Sequence, residues 1–215
     1  MSAETSSAVH SLVVPCRQPV TALRAVIGGV GYRNLRDHSL GIVLSDELEA
    51  LAQPPALLVE DLCYGPVAVA QWFLDEARVA PISRAVFITA VERDDERPPG
   101  TICAYRWDHR LPGDEEIQRC VVDAVTGVIF LDNTLIVVEW MGALPRETVI
   151  IEVQPLEHAF GDEMSESVAR AYAEVRRLAL QFATDVDAIQ QLPVRSLGGG
   201  WQPAVLHTGT PAGSA

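Results

Sequence analysis

Val26-Ile27-Gly28-Gly29-Val30-Gly31-Tyr32-Arg33-Asn34-Leu35-Arg36-Asp37-His38-Ser39-Leu40-Gly41 is the stretch on which the fold turns. Its apolar start extends from Leu23 to Gly29 and lacks alternation, which reads as a strand buried on both faces. A glycine-rich turn follows, then a polar loop with an Asp-His pair, then a glycine that opens a helix over Leu40 to Ala52. Ile42, Leu44, Leu48 and Leu51 supply that helix with an apolar stripe. A strand, a glycine turn and a helix N-terminus together mark the place where an α/β protein builds a site. Gly29, Gly31 and Gly41 suit it because glycine tolerates positive φ and lets another backbone or a ligand come close.

Working outward, the same grammar repeats. Ala56 to Val59 is an apolar strand closed by Glu60-Asp61, and Pro66 starts a second helix carrying Val67, Ala70 and Leu74. Ala85 to Val91 is a third buried strand, followed by the solvated acidic loop Asp94-Asp95-Glu96 and the turn Pro98-Pro99-Gly100. Thr101 to Trp107 reads as an edge strand and His109 to Gln118 as a polar loop. Cys120 to Val138 suits either strand or helix. Thr148 to Val153 is a strand, and Ser165 caps a helix with Val168, Tyr172, Val175, Leu178 and Phe182 on one face. Alternation of this kind gives an α/β fold, a three-layer α/β/α sandwich with a mostly parallel central sheet, over residues 21–185. Residues 1–20 read as an N-terminal arm and 186–215 as a flexible C-terminal tail, with Gly198-Gly199-Gly200 inside it.

Composition narrows the function classes. A chain of 215 residues supports one well-buried core, and 48% hydrophobic with 21% charged residues is a globular balance. The formal charge of -13 argues against nucleic acid, whose phosphates need clustered basic groups. There is no lysine, which removes Schiff-base and P-loop lysine chemistry. Asp123 and Asp132 break up the most apolar region, so no membrane span is expected. Met1 to Ala8 lacks the basic segment of a secretory signal, and the expected location is the cytoplasm. Cys16, Cys63, Cys103 and Cys120 form no C-x-x-C pair and read as buried, reduced thiols.

Gly29-Val30-Gly31 supplies two of the glycines of a dinucleotide fingerprint, with Glu60 or Asp61 at the acidic position. The third glycine position is Asn34, and the polar loop Arg33 to Ser39 delays the helix, so the phosphate-cradle reading is a weak one. A second set of landmarks is more coherent. These are G-x-G, the loop with Asp37, Gly41 opening a helix, the Glu60 to Gly65 segment, and Pro99-Gly100-Thr101. Leu131 to Pro155 with Gly142-Ala143-Leu144-Pro145, and Met164-Ser165-Glu166-Ser167-Val168, complete them. In this order they resemble the nickel-iron hydrogenase maturation endopeptidases over residues 24–183.

The resemblance implies a three-layer α/β/α domain of the phosphorylase/hydrolase-like type, and it turns Leu131 to Met141 into a helix. It implies an activity as well: removal of a C-terminal peptide from the hydrogenase large-subunit precursor once nickel has been inserted. The family reads that nickel through an acid after the loop Asp, an Asp ending the third strand and a His before the next helix. Here those positions fall on His38, on Ala90 and on or near Gly127, and Tyr32 replaces the family's Asn after G-x-G.

The expected function is therefore that of a protease-like pseudoenzyme: an assembly factor or chaperone binding a hydrogenase large-subunit precursor without cutting it. The alternatives are an active metal-dependent endopeptidase and a small nucleotide-binding or oxidoreductase domain. The candidate site comprises Asp37, His38, Glu60, Asp61 and Glu92, with Gly29, Gly31 and Gly41 as loop glycines. Asp37 reads equally as a loop-bracing carboxylate, since Asp bonds backbone amides readily. His38 reads as a solvated loop histidine or as one ligand of nickel or zinc. No cofactor is otherwise expected, and a protein partner is.

Overall fold

Ala25 to Gly29, the first strand (β1), is buried at all of its positions because it lies between two parallel neighbours. The computed structural model describes residues 23–93 and 97–197. β2 (Leu57–Asp61) flanks β1 on one side and β3 (Arg84–Ala90) on the other. β4 (Ile102–Trp107), β5 (Glu147–Val153) and β6 (Val194–Arg195) complete a six-stranded sheet of order β2-β1-β3-β5-β4-β6. The pairs from β2 to β5 are parallel, β4 runs antiparallel to β5, and β6 runs parallel to β4.

Each face of the sheet carries two helices. α1 (Leu40–Glu49) and α5 (Glu166–Thr184) cover one face, where Leu40, Leu44, Leu48, Val168, Val175 and Phe182 meet Ile27, Ile88 and Ile151. α2 (Pro66–Val79) and α4 (Leu131–Trp140) cover the other, with Phe73, Leu135 and Val138 against Val26, Phe87 and Ile150. Successive residues of β1, Val26 and Ile27, thus feed opposite cores, and this is why the strand shows no polar face in sequence. The sheet and its covering helices are the expected three-layer α/β sandwich, and α4 forms where the resemblance placed a helix.

Three local expectations are corrected. His109 to Gln118 is a loop only in its first part, because α3 spans Asp114–Val125. Its first turn carries Asp114, Glu115 and Glu116, which suit the positive end of a helix dipole, and Ile117, Cys120 and Val121 pack on Ile136 and Val137 of α4. The edge strand expected at Thr101 to Trp107 is partly covered, since Arg106 and Trp107 pair with β6. The tail expected from residue 186 carries structure as far as 197: Ala188–Gln191 forms a 3-10 turn, Ile189 and Leu192 are buried, and β6 follows. The expected arm, the acidic loop at 94–96 and the glycine run at 198–200 lie outside the described residues. No described helix is long and apolar enough to cross a membrane. Cys103 and Cys120 are buried and Cys63 is half-buried, all three as free thiols.

Candidate functional site

The glycine turn is built for backbone contact. A Cβ on Gly29 would stand 2.1 Å from the Gly41 carbonyl oxygen, and one on Gly41 would stand 2.4 Å from the Ile88 carbonyl oxygen. Gly31 is pressed in the same way against the His38 carbonyl, at 2.2 Å. None of these three glycines has a left-handed φ; the residues that do in this loop are Asn34, at 59°, and Arg36, at 42°. Close approach is therefore the reason for glycine here, and it leaves no room for a pyrophosphate between turn and helix. The start of α1 is sealed as well, with Leu40 and Gly41 buried behind the 3-10 turn Arg36–Ser39.

Asp37 is wholly buried and holds the site together. Its Oδ2 accepts the amide N–H of Leu156 at 2.8 Å, that of Glu157 at 2.9 Å and the Ser165 hydroxyl at 2.9 Å. Its Oδ1 accepts the Ser165 amide at 2.7 Å. Burial alone would raise its pKa, but the three amides and the hydroxyl outweigh it and hold the carboxyl below its ordinary range. The first βα loop is thereby fastened to the β5–α5 loop, an attachment seconded by Gly161, whose amide donates to the Asn34 carbonyl at 2.8 Å.

That fastening brings His158 to His38. Their ring centres are 4.5 Å apart with planes tilted by 44°. Both histidines line a cavity of about 210 Å³, together with Gly31, Tyr32, Thr89, Ala90, Glu92 and Leu131 among others. Ile129 and Phe130 close its other wall; the Ile129 amide donates to the Tyr32 hydroxyl at 2.6 Å, and Phe130 meets the Tyr32 ring edge-on. Desolvation in this cavity, and then the neighbouring His158, lower the pKa of His38 against the opposing pull of Asp37, the Ala90 carbonyl and Glu92.

Glu60 and Asp61 end β2 at the same edge of the sheet but do not line the cavity. Asp61 pairs with Arg33 at 2.6 Å and accepts the Cys63 amide at 2.9 Å, and Arg33 also grips Asp46 through two hydrogen bonds. Burial, together with the charges of Glu49, Asp61 and Glu76, raises the pKa of Glu60, against a hydrogen bond from Tyr64. The Cys63 thiol is pushed up to about 11, by burial first and then by Asp61, which leaves it a poor nucleophile. The structure thus gathers His38 and Glu92 around the cavity, sets Asp37 beside them as a brace, and leaves Asp61 ion-paired to Arg33 and Glu60 hydrogen-bonded to Tyr64 outside it.

His158 is not among the candidate residues of the sequence analysis, because nothing local in the sequence ties it to His38. Arg93 was missed as well. Its guanidinium holds Asp132 at the start of α4 through two bonds of 2.8 and 2.9 Å and the buried Glu152 of β5 at 2.5 Å. Glu152 also accepts the Tyr105 hydroxyl at 2.8 Å. Arg93 follows Glu92 and Asp132 follows Leu131, so this partly buried network adjoins the wall of the cavity on both sides. Among the described residues, no three His, Cys, Asp or Glu side chains converge as a ready-made metal set.

Solved structures share this architecture. The hydrogenase maturating endopeptidase HybD from Escherichia coli superposes with a TM-score of 0.51 at 17% identity, over 80% of this chain and 96% of that one. A solution structure of an endopeptidase from Escherichia coli gives 0.51 at 18% identity, over 80% of this chain and 96% of that one. The chain has the hydrogenase maturation endopeptidase fold. No family model and no curated protein matches the sequence. Within this endopeptidase fold the cavity lies at the carboxyl ends of β1 and β3, where an open α/β sheet places its ligands.

Proposed function

We propose that the protein is a cytoplasmic assembly factor of the hydrogenase maturation type, which binds a nickel-iron hydrogenase large-subunit precursor without cutting it. The observation that carries this reading is the cavity itself. Its floor is Ala90, where the resemblance would put a metal-reading aspartate, and Ile129 to Leu131 form the wall near the expected histidine. Gly127, the position matched to that histidine, offers no side chain and does not line the cavity. The nickel-reading set of the family therefore does not fit these residues. A protein partner suits the surroundings: Phe130, Leu156 and Phe160 are 52%, 60% and 81% exposed on the segments that border the cavity. Apolar groups of this kind, rimmed by polar ones, mark interaction surfaces.

Incubation with a nickel-loaded large-subunit precursor tests the proposal. The expected result is a stable complex and an intact precursor, and release of a C-terminal peptide would overturn the non-catalytic reading. An active metal-dependent endopeptidase is the second reading, favoured by one observation only, the juxtaposition of His38 and His158. Recovery of no hydrogenase subunit with the tagged protein from its native cells would count against both.

A further inference from the structure

The lining of the cavity suits a ring better than the ion implied by the resemblance. Ala90 contributes a methyl group where an acid would stand, and Ile129 and Leu131 supply an aliphatic wall. Tyr32 and Phe130, edge to face, add aromatic surface. His38 and His158 add two imidazoles with ring centres 4.5 Å apart, and desolvation holds His38 in its uncharged form at neutral pH. Neutral rings at such spacing offer faces and edges to a further aromatic group. Size points the same way. An apolar void of roughly 150 Å³ already holds a benzene ring. The 210 Å³ found here takes one phenyl or phenol group with its β-carbon, and falls short of the roughly 300 Å³ at which drug-sized sites begin.

The surroundings indicate what carries that ring. Phe130, Leu156 and Phe160 are exposed on the bordering segments, which suits an apolar stretch of protein. Glu92 lines the cavity and is exposed, as are Asp162 and Glu163 on the loop that carries His158. Among the described residues no cation pairs with these three acids, whereas Glu157 is neutralised by Arg36 at 2.9 Å. With a net charge of -13 over the whole chain, this border favours a basic partner.

We infer that the cavity is a docking pocket for one aromatic side chain, presented by a partner segment that carries arginine or lysine beside it. The ring takes the space that the family gives to its ion, and Glu92, Asp162 and Glu163 receive the flanking cations. The inference rests on the proposed binding of a protein partner and names the part of it that is bound.

Fluorescence anisotropy of the full chain with the labelled peptide Gly-Arg-Phe-Arg-Gly, at low salt and with EDTA present, tests it. The expected dissociation constant is about 10–100 μM. Alanine in place of the peptide's phenylalanine should weaken binding by about tenfold or more, and glutamate in place of its arginines by a similar factor. Ala90→Leu fills the pocket and should cost about tenfold. Phe130→Ala should weaken binding as well, and Glu92→Gln should flatten its salt dependence. Trp140→Ala, which removes an exposed aromatic at the end of α4, should change nothing. Circular dichroism checks the folding of each variant. Phe130→Ala and Glu92→Gln, both at exposed positions, keep the test open should Ala90→Leu not fold. Binding weaker than about 1 mM, equal affinity for the alanine peptide, loss of binding on adding EDTA, or full affinity in a folded Ala90→Leu or Phe130→Ala protein overturns the aromatic pocket. The peptide assay contains no hydrogenase subunit, so its failure sinks this pocket alone, whereas failure of the precursor complex sinks the proposed partner.

Discussion

Asp37 carries more of this protein than its place in a loop suggests. A carboxylate taken out of water is costly unless its oxygens are hydrogen-bonded, and here three amides and a hydroxyl satisfy them. Asp37→Ala leaves those donors unpaired in a buried space and should lower the unfolding free energy by about 3–5 kcal/mol. Urea denaturation checks this, and a loss below about 1 kcal/mol would show that the clasp is dispensable. The pH dependence follows from the two shifts. The folded pKa of Asp37 lies below the unfolded value of about 3.9, so its contribution is full above that pH and disappears as pH falls through the folded pKa. His38 is also lowered, so below about pH 6.5 the unfolded chain binds the extra proton first and stability falls on acidification. His38→Gln should remove the drop in thermal stability between neutral pH and about pH 5 and leave the acid transition of Asp37 in place. An unchanged pH profile in that variant would assign the drop elsewhere.

At the scale of elements, the junction of β1, β3 and α1 is set by missing side chains. Gly41→Ala would drive a methyl group into the Ile88 carbonyl oxygen at 2.4 Å and force α1 off the sheet. The expected loss is about 1–3 kcal/mol, with a lower melting temperature. A substitution that leaves the midpoint unchanged would mean that the helix can slide without cost. The Arg93 network is a second junction, joining the end of β3 to α4 and β5. Arg93→Met removes a cation from between Asp132 and Glu152 and leaves two carboxylates facing each other, so the melting temperature should fall, as differential scanning calorimetry would measure. α3 shows where element reading failed. Its acidic first turn looked like a solvated loop, and its thin apolar stripe acquires meaning only from Ile136 and Val137 on the neighbouring helix.

Across the whole molecule, one buried cation links distant parts of the chain. Arg84 at the start of β3 has no exposed surface; it donates to the carbonyls of Phe182 and Asp185 at 2.7 Å each and to Glu147 at 2.8 Å. It closes the end of α5 onto the sheet, opposite the edge that carries the cavity. Arg84→Ala should cost about 3–5 kcal/mol, because Glu147 and two carbonyls lose their donor and a cavity opens. Chemical denaturation measures it, and a cost under about 1 kcal/mol would contradict the clamp. The net charge of -13 acts on the same scale by concentrating small cations around the protein, an effect that added salt screens.

The order of strands and helices was written in local patterns, because apolar runs without alternation, proline at a helix start and a serine cap act within a few residues. Those patterns were enough for a mostly parallel sandwich and for the importance of the glycine turn. The composition of the site was beyond them. Asp37 reaches amides that follow β5, and His158 is brought beside His38 by that reach. Asp61, a neighbour of the site by strand order, is drawn to Arg33, and Glu60 takes its hydrogen bond from Tyr64. Which side chains meet depends on how two loops are fastened across the sheet edge. That fastening is a tertiary hydrogen-bond pattern with no periodicity along the chain to announce it.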